Sequence, residues 1–337
     1  VAMNNQGFVV VWDTNDLSAG NDASGQSIQG RRYDSDGTPL SGQFQVNSVV
    51  GSDQYIPDVA MHPDGRFAVV WQSDTSDGDD NSSRSVQVRR YAANGTPLEA
   101  EQQLNVITPQ AQSDPRVAMD FSDASFLVVW RSQTSEDGDD SSGSIQARGM
   151  LWNGIPATQR EFQVNQEMLD DQFAPNVANV GPKEYIAVWM TDHLPDRSSA
   201  MRAVGLEGAL IGDQVDLPGS DLRPNTPNVA RTGDGSSLSV YQAAGLDDVV
   251  PSHRDGIRAR RWQHPCVTGE PTGCVESPTT LCLLDDRFRI TADWRIPDGT
   301  TGAGQAEELT PDTGYFWFFR RENVEMVIKV LDACGFN

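Results

Sequence analysis

No apolar run in this 337-residue chain is long enough to cross a bilayer as a helix, which takes roughly 18 residues or more. Basic charge is scarce, with 25 Lys and Arg against 48 Asp and Glu, a net charge of −23. A surface this acidic repels phosphate backbones, which argues against nucleic acid as a partner and suits an exported protein. Histidine is rare, and His62, His193, His253 and His264 lie in different segments with no partner at a recognisable spacing. Gly-x-Ser-x-Gly, Gly-x-Gly-x-x-Gly and His-Glu-x-x-His are all missing, so common hydrolase, dinucleotide and zinc-protease motifs do not apply. A glycosidase needs two convergent carboxylates, and 48 acids leave that class open. Helical apolar periodicity is also absent, which excludes a helical solenoid.

What is present is a long repeat. Trp12, Trp71, Trp130 and Trp189 stand at one constant spacing and Tyr241 follows at a slightly shorter one, each ending an apolar run. Each unit carries four short segments. The first is Val1-Ala2-Met3, repeated at Val59, Val117, Val177 and Val229, with Pro57, Pro115, Pro175 and Pro227 shortly ahead of the last four, as suits an extended entry into a strand. The second, Phe8 to Trp12, is matched by Phe67 to Trp71, Phe126 to Trp130, Tyr185 to Trp189 and Leu238 to Tyr241. Its β-branched and aromatic content says strand, and its unbroken apolar character says that both faces are covered. The third runs from Ile28 to Tyr33, with Val86 to Tyr91, Ile145 to Met150, Met201 to Gly205 and Ile257 to Trp262 as its matches. The fourth, Phe44 to Asn47, is matched by Gln102 to Asn105, Phe162 to Asn165 and Asp213 to Asp216.

Turns such as His62-Pro63-Asp64-Gly65 and Ala93-Asn94-Gly95 join segments one to two and three to four, because Asn, Asp and Gly accept the positive φ of a tight hairpin. Four antiparallel strands repeated at this period describe an all-β fold, the β-propeller, with five blades visible. Units fall near 1–56, 57–114, 115–174, 175–226 and 227–262, followed by a second domain at 263–337. The fifth unit stops at Trp262 with no fourth segment, and Val1 begins inside a unit, so the chain reads as a fragment with its closing strand expected upstream of Val1.

Long connections gather at the opposite end of each blade, including the stretch between Trp71 and Val86 and its equal between Trp130 and Ile145. Binding residues favour long loops on rigid scaffolds, which makes this face the expected working face. These loops concentrate carboxylates: Asp74, Asp77, Asp79 and Asp80 in the second unit, and Glu136, Asp137, Asp139 and Asp140 in the third. Acids among Ser and Gly can wrap Ca²⁺, although the order is not that of an EF-hand and a solvated loop needs no ion. Arg31, Arg32, Arg89, Arg90, Arg260 and Arg261 on the third segments are expected to cover apolar surface and pair with loop acids rather than hold an anionic ligand.

All four cysteines follow the repeats. Cys266 and Cys274 bracket one loop and Cys282 and Cys334 bracket the C-terminal segment; of three connectivities, Cys266–Cys274 with Cys282–Cys334 is expected. The spacings match no zinc pattern, so disulfides in an oxidising compartment are the expectation. Alternation from Phe288 to Trp294, with further strand-like runs at Tyr315 to Phe319 and Val324 to Leu331, suggests a small β-sandwich.

The motifs Pro-x-Val-Ala, Asp-Gly-x-Phe-x-Val-Val-Trp-x-Ser, Arg-Arg-Tyr and Phe-Gln-Val-Asn resemble repeats of large secreted or surface-attached bacterial proteins, over about residues 1 to 262 and best at Pro57 to Asn105 and Pro115 to Asn165. The stretches Leu281-Cys282-Leu283, Arg287 to Thr291 and Thr313 to Phe318 are similar to a short C-terminal domain of exported bacterial proteins. The resemblance implies an extracellular bacterial origin and carries no catalytic residues. Sialidase-type propellers carry Ser-x-Asp-x-Gly-x-x-Trp turns, and the stretch from Asp64 to Trp71 has another spacing. The expected function is therefore a noncatalytic extracellular binding or structural module, presenting acidic loops to a protein or glycan within a surface assembly or filament. The alternative is a carbohydrate-active propeller, glycosidase- or lyase-like, with carboxylates near the axis.

Overall fold

The computed structural model describes the chain except for residues 16–24, 75, 77, 79, 81–82, 136–138, 140–142, 193–197, 218–226, 232–236, 245–254, 263–275, 284–287, 296–299, 311–312, 319–325 and 331–337. Two compact units divide it, Val1–Leu217 and Pro218–Asn337. The described residues contain strands and turns and no helix.

The first unit is four antiparallel blades, each with its strands in sequence order. Blade 1 holds β1 (Ala2–Asn4), β2 (Gly7–Thr14), β3 (Ser27–Asp34) and β4 (Phe44–Gln45); blade 2 holds β5 (Gln54–Met61), β6 (Phe67–Ser73), β7 (Ser85–Tyr91) and β8 (Gln102–Gln103). Blade 3 holds β9 (Gln112–Met119), β10 (Phe126–Ser132), β11 (Ser144–Met150) and β12 (Phe162–Gln163); blade 4 holds β13 (Gln172–Gly181), β14 (Glu184–Thr191), β15 (Ser198–Gly205) and β16 (Leu210–Leu217). First strands pack beside first strands along the series β1, β5, β9 and β13, as the inner edges of propeller blades do.

The apolar second segments explain this stacking. On β6, Phe67, Val69 and Trp71 join a core with Val9, Ile28 and Val46 of blade 1, while Ala68 and Val70 join one with Val117, Phe126, Val128 and Trp130 of blade 3. On β10, Leu127 and Val129 face Tyr185, Ala187 and Trp189 of blade 4. Successive side chains thus enter cores on opposite faces, which is why these strands do not alternate in polarity. Trp71, Trp130 and Trp189 are fully buried, and their indole N–H groups find no acceptor among the described residues. These side chains are there for volume.

Polar staples recur beside the cores. Asn47, Asn105 and Asn165 each accept the amide that opens the third strand of their own blade, from Ile28, Val86 and Ile145, at 2.9, 2.9 and 2.8 Å. Glu161 at the end of blade 3 takes the Val106 and Ile107 amides of blade 2 at 2.9 and 2.8 Å, Glu101 takes those of Ser48 and Val49, and Gln214 takes those of Gln166 and Glu167. Third-strand arginines Arg89, Arg148 and Arg202 donate to the carbonyls of Val46, Leu104 and Val164 in the preceding blade, at 2.7, 2.6 and 3.1 Å. Ladder register corrects the sequence alignment of blade 4. Ala200 pairs with Asp216 as Gln87 pairs with Gln103 and Gln146 with Gln163, so the counterpart of Phe162 is Val215, not Asp213.

Inner strands depart from the expected extended entry. Ile56, Asp114 and Ala174, each directly before a proline, have φ of 55°, 55° and 50°, and the ladder slips at each. This is a β-bulge with a non-glycine residue in the left-handed region, repeated in three blades.

The second unit is assembled differently. Strands β17 (Asn228–Arg231), β18 (Ser237–Ala244) and β19 (Asp255–Trp262) begin a fifth sheet, and short ribbons pair β20 (Leu281–Leu283) with β21 (Phe288–Ile290) and β22 (Asp293–Arg295) with β23 (Thr301–Ala303). Strands β24 (Gln305–Thr310), β25 (Thr313–Trp317) and β26 (Met326–Val330) then complete that sheet, with β26 parallel to β19. The fourth-strand position of the fifth sheet is therefore filled from the C-terminal side, and the unit boundary lies at 217/218 where repeat counting places a domain boundary at 262/263. Leu281 and Leu283 pack on Phe316 and Ile328, giving the two-layered, sandwich-like core. Cys282 is buried and disulfide-bonded; Cys266, Cys274 and Cys334 lie outside the described residues.

Candidate functional site

The acidic loops were the expected working surface, and part of them is folded inward. Asp80 and Asp139 are 1% and 2% exposed, and each accepts the Nδ2 of its blade's stapling asparagine, Asn105 or Asn165, at 2.8 Å. Asp74 accepts the Tyr55 hydroxyl at 2.6 Å and lies 3.7 Å from Arg84, whose guanidinium sits over the Tyr55 ring. Burial and the neighbouring Asp74 both raise the Tyr55 pKa. Asp77, Asp79, Asp137 and Asp140, with Glu136, fall outside the described residues. Among the described residues no three His, Cys, Asp or Glu side chains gather as a metal site would require. The third-strand arginines bond mainly to backbone carbonyls; Arg90 pairs with Glu99 at 2.5 Å, an acid of its own third-to-fourth connection.

The inner strands hold a different set of polar groups. After the three bulge prolines stand Asp58, Arg116 and Asn176, with Asn228 after Pro227 at the same place in the Pro-x-Val-Ala motif. Parity sends Asp58 to the face of β5 that meets blade 3. There its Oδ2 accepts the Val117 amide at 2.9 Å, a group on the open edge of β9, and the Val59 amide also bonds to it. Burial pushes the Asp58 carboxyl above the ordinary carboxylate range, against the pull of these amides and of Arg116. Asp114 sits at the bulge of the neighbouring strand, with its amide donating to Gln72 at 3.2 Å and its side chain half-buried. Two carboxylates and one guanidinium thus stand on adjacent innermost strands, all three at or just after a left-handed bulge. Bulges of this kind re-aim side chains and gather near active sites. The sequence does carry a signal for them: the variable position is polar in all four copies although its neighbours are apolar.

The opposite end of the blades is tied by hydrogen bonds. Asn4 donates to Pro63 O at 3.1 Å, His62 Nε2 lies 3.1 Å from Phe121 O, and Asp120 accepts the Lys183 amide, so three different side chains bridge successive first-to-second turns. His62 is a packing and bridging residue here.

Comparison with known proteins bears on the fold. No protein-family model matches the sequence, and no curated protein is detectably similar to it. Among solved structures, a protein of unknown function from Dyadobacter fermentans DSM 18053 is similar with a TM-score of 0.50 and 11% identity, over 94% of this chain and 89% of its own. An exo-1,5-α-L-arabinanase from a bovine ruminal metagenomic library gives 0.41 and 11%, over 89% and 94% of the two chains. A Penicillium chrysogenum α-L-arabinanase complexed with arabinobiose gives 0.43 and 12%, over 82% of each. At such identities the likeness concerns the fold alone. The expectation of a noncatalytic module presenting these acidic loops to a partner is corrected by the structure: Asp80 and Asp139 are buried and engaged inside their own blade.

Proposed function

We propose that this chain is a carbohydrate-active propeller working outside the cell, with its reaction centre on the innermost strands around Asp58, Asp114 and Arg116. The observation that carries the reading is Asp58, a carboxyl of raised proton affinity on an inner strand, beside a guanidinium and one strand away from a second carboxylate. Cleavage of a glycosidic bond needs a proton donor for the leaving oxygen and a second carboxylate that attacks the sugar or activates water. Asp58 suits the donor, because burial raises its proton affinity. Asp114 suits the second role, and Arg116 would orient substrate oxygens. The net charge of −23 disfavours polyanionic substrates, so hydrolysis of a neutral glycan is favoured over elimination on a uronate polymer.

Release of reducing ends from a panel of neutral and acidic polysaccharides, α-1,5-arabinan among them, tests this reading. Turnover of a neutral member is expected, with a loss of at least about 100-fold in Asp58→Asn. Absence of turnover and of binding across the panel would contradict it. Calcium enters the same reading through the loop carboxylates Asp77, Asp79, Asp137 and Asp140; melting in Ca²⁺ against EGTA tests that part, since a bound ion must raise the melting temperature.

A further inference from the structure

Each junction between blades has a slot where the third-to-fourth turn of one blade lies over the third strand of the blade before it. The residue two places past the end of the aligned third-strand core fills that slot, and the three copies are Ala93, Trp152 and Leu206. Between blades 2 and 3, Trp152 packs against the core with Arg66 and Arg90 over its ring, their guanidinium carbons 5.0 and 5.4 Å from its centroid. Between blades 3 and 4, Leu206 is 1% exposed, and Gly149 stands where Arg90 stands in blade 2; a Cβ there would lie 2.0 Å from Leu206 O. Between blades 1 and 2 the side chain is only a methyl. A cavity of about 130 Å³ results, lined by Asn4, Phe8, Arg32, Tyr33, Met61 and Ala93 among others.

The walls of this cavity are held in place. Arg32, the counterpart of Arg90, donates to Ala93 O and Asn94 O at 2.6 Å each, which keeps its guanidinium along the rim, and Asn4 bonds Pro63 O on the far side. The first-to-second turn of blade 1 is shorter than that of blade 2 and places Gly7 before Phe8, where blade 2 has Arg66 before Phe67. That difference removes the second cation and opens the slot further.

We propose that the slot between blades 1 and 2 is a binding site for a planar aromatic ring of indole or phenol size, taken from outside the chain in the position that Trp152 occupies one blade later. The ring packs beside Met61 and the Ala93 methyl and against the Arg32 guanidinium, where dispersion and cation–π attraction supply what that methyl does not. The site is independent of the glycan-cleaving centre, since it lies at the end of the blades where the short turns meet.

The test uses 5-fluoroindole followed by fluorine NMR on the full chain. With about ten non-hydrogen atoms, binding at a dissociation constant on the order of 1 mM is expected. Ala93→Trp places an indole in the slot from within, and should abolish the binding while raising the melting temperature. Trp152→Ala opens the second slot, and should raise the stoichiometry from one ring to two. Competition by N-acetyltryptophanamide, and by a tryptophan-bearing peptide against its alanine counterpart, separates a free small molecule from a side chain of a partner; tighter binding of the peptide than of the amide assigns the ring to a protein. No binding by the unaltered chain at about 5 mM ligand, or binding that Ala93→Trp leaves unchanged, overturns the proposal.

Discussion

The first unit repeats one solution four times, whereas the second assembles a sheet from distant pieces. In Val1–Leu217 every blade finishes its strands in sequence order, a stapling Asn closes each of the first three blades, and neighbours are joined by the same few features: an apolar central strand, a Glu or Gln clamp and a third-strand Arg. In Pro218–Asn337 the third strand of the fifth sheet meets β26, with three ribbons' worth of chain between them. The comparison teaches that repetition in this chain is carried by polar staples as much as by tryptophans. Where the staples end, pairing is no longer local.

Removing volume should produce the largest effect. Trp130→Ala is expected to cost about 3–5 kcal/mol in the first unit. Trp130→Phe should cost well under half of that, because the indole N–H has no acceptor to lose. Chemical denaturation followed by a probe in each unit should show the Trp130 variants moving only the first transition, and Phe316→Ala only the second. A single shared transition in both variants would erase the distinction between the units.

Staple variants come next. Asp80→Ala or Asn105→Ala leaves buried polar partners unmatched and should cost about 1–3 kcal/mol, with the double variant less than additive because the two side chains share one bond. Full additivity would show that the acid and the amide act separately.

Asp58 gives a pH-dependent difference. Its pKa is raised in the folded state, so its contribution to stability is fully present below the unfolded pKa and is lost as pH rises through the folded one. Asp58→Asn should therefore melt higher than the unaltered chain at neutral pH, with the gap closing in acid. A gap that widens in acid would mean that the carboxylate is stabilised by folding.

The smallest effect is expected at the clamps. Glu161→Gln copies what blade 4 does with Gln214 and should stay within about 1 kcal/mol, while Glu161→Ala, which orphans the Val106 and Ile107 amides, should cost about 1–3 kcal/mol. Equal losses in the two variants would argue against the clamp.

The repeat, the strands and the end-on turns were legible because each is written in local chemistry: Phe-x-Val-Val-Trp for a strand covered on both sides, and Asn-Gly or Asp-Gly for turns whose Gly65, Gly95 and Gly154 do have φ of 93°, 85° and 87°. The functional reading was not, because acidic loops look solvated in sequence. Asp80 and Asp139 are buried where asparagines 25 and 26 residues away reach them. The variable residue of Pro-x-Val-Ala was legible in principle: Asp58 and Arg116 stand at matching positions, but that they meet at the inner edge depends on blade-to-blade packing. The same holds for Ala93, Trp152 and Leu206, whose differences acquire meaning only once the slots are seen side by side. Pairing of β26 with β19 has no local signature at all.

The central claim is that Asp58 donates a proton and Asp114 acts directly on the sugar or its attacking water. Hydrolysis of the glycan substrate can be compared with that of a dinitrophenyl glycoside of the same sugar, whose leaving group needs no proton. Asp58→Asn should lose glycan hydrolysis by about 100-fold or more yet retain the activated substrate within about tenfold, while Asp114→Asn loses both. Equal losses on the two substrates in Asp58→Asn, or full activity in Asp114→Asn, would contradict the account.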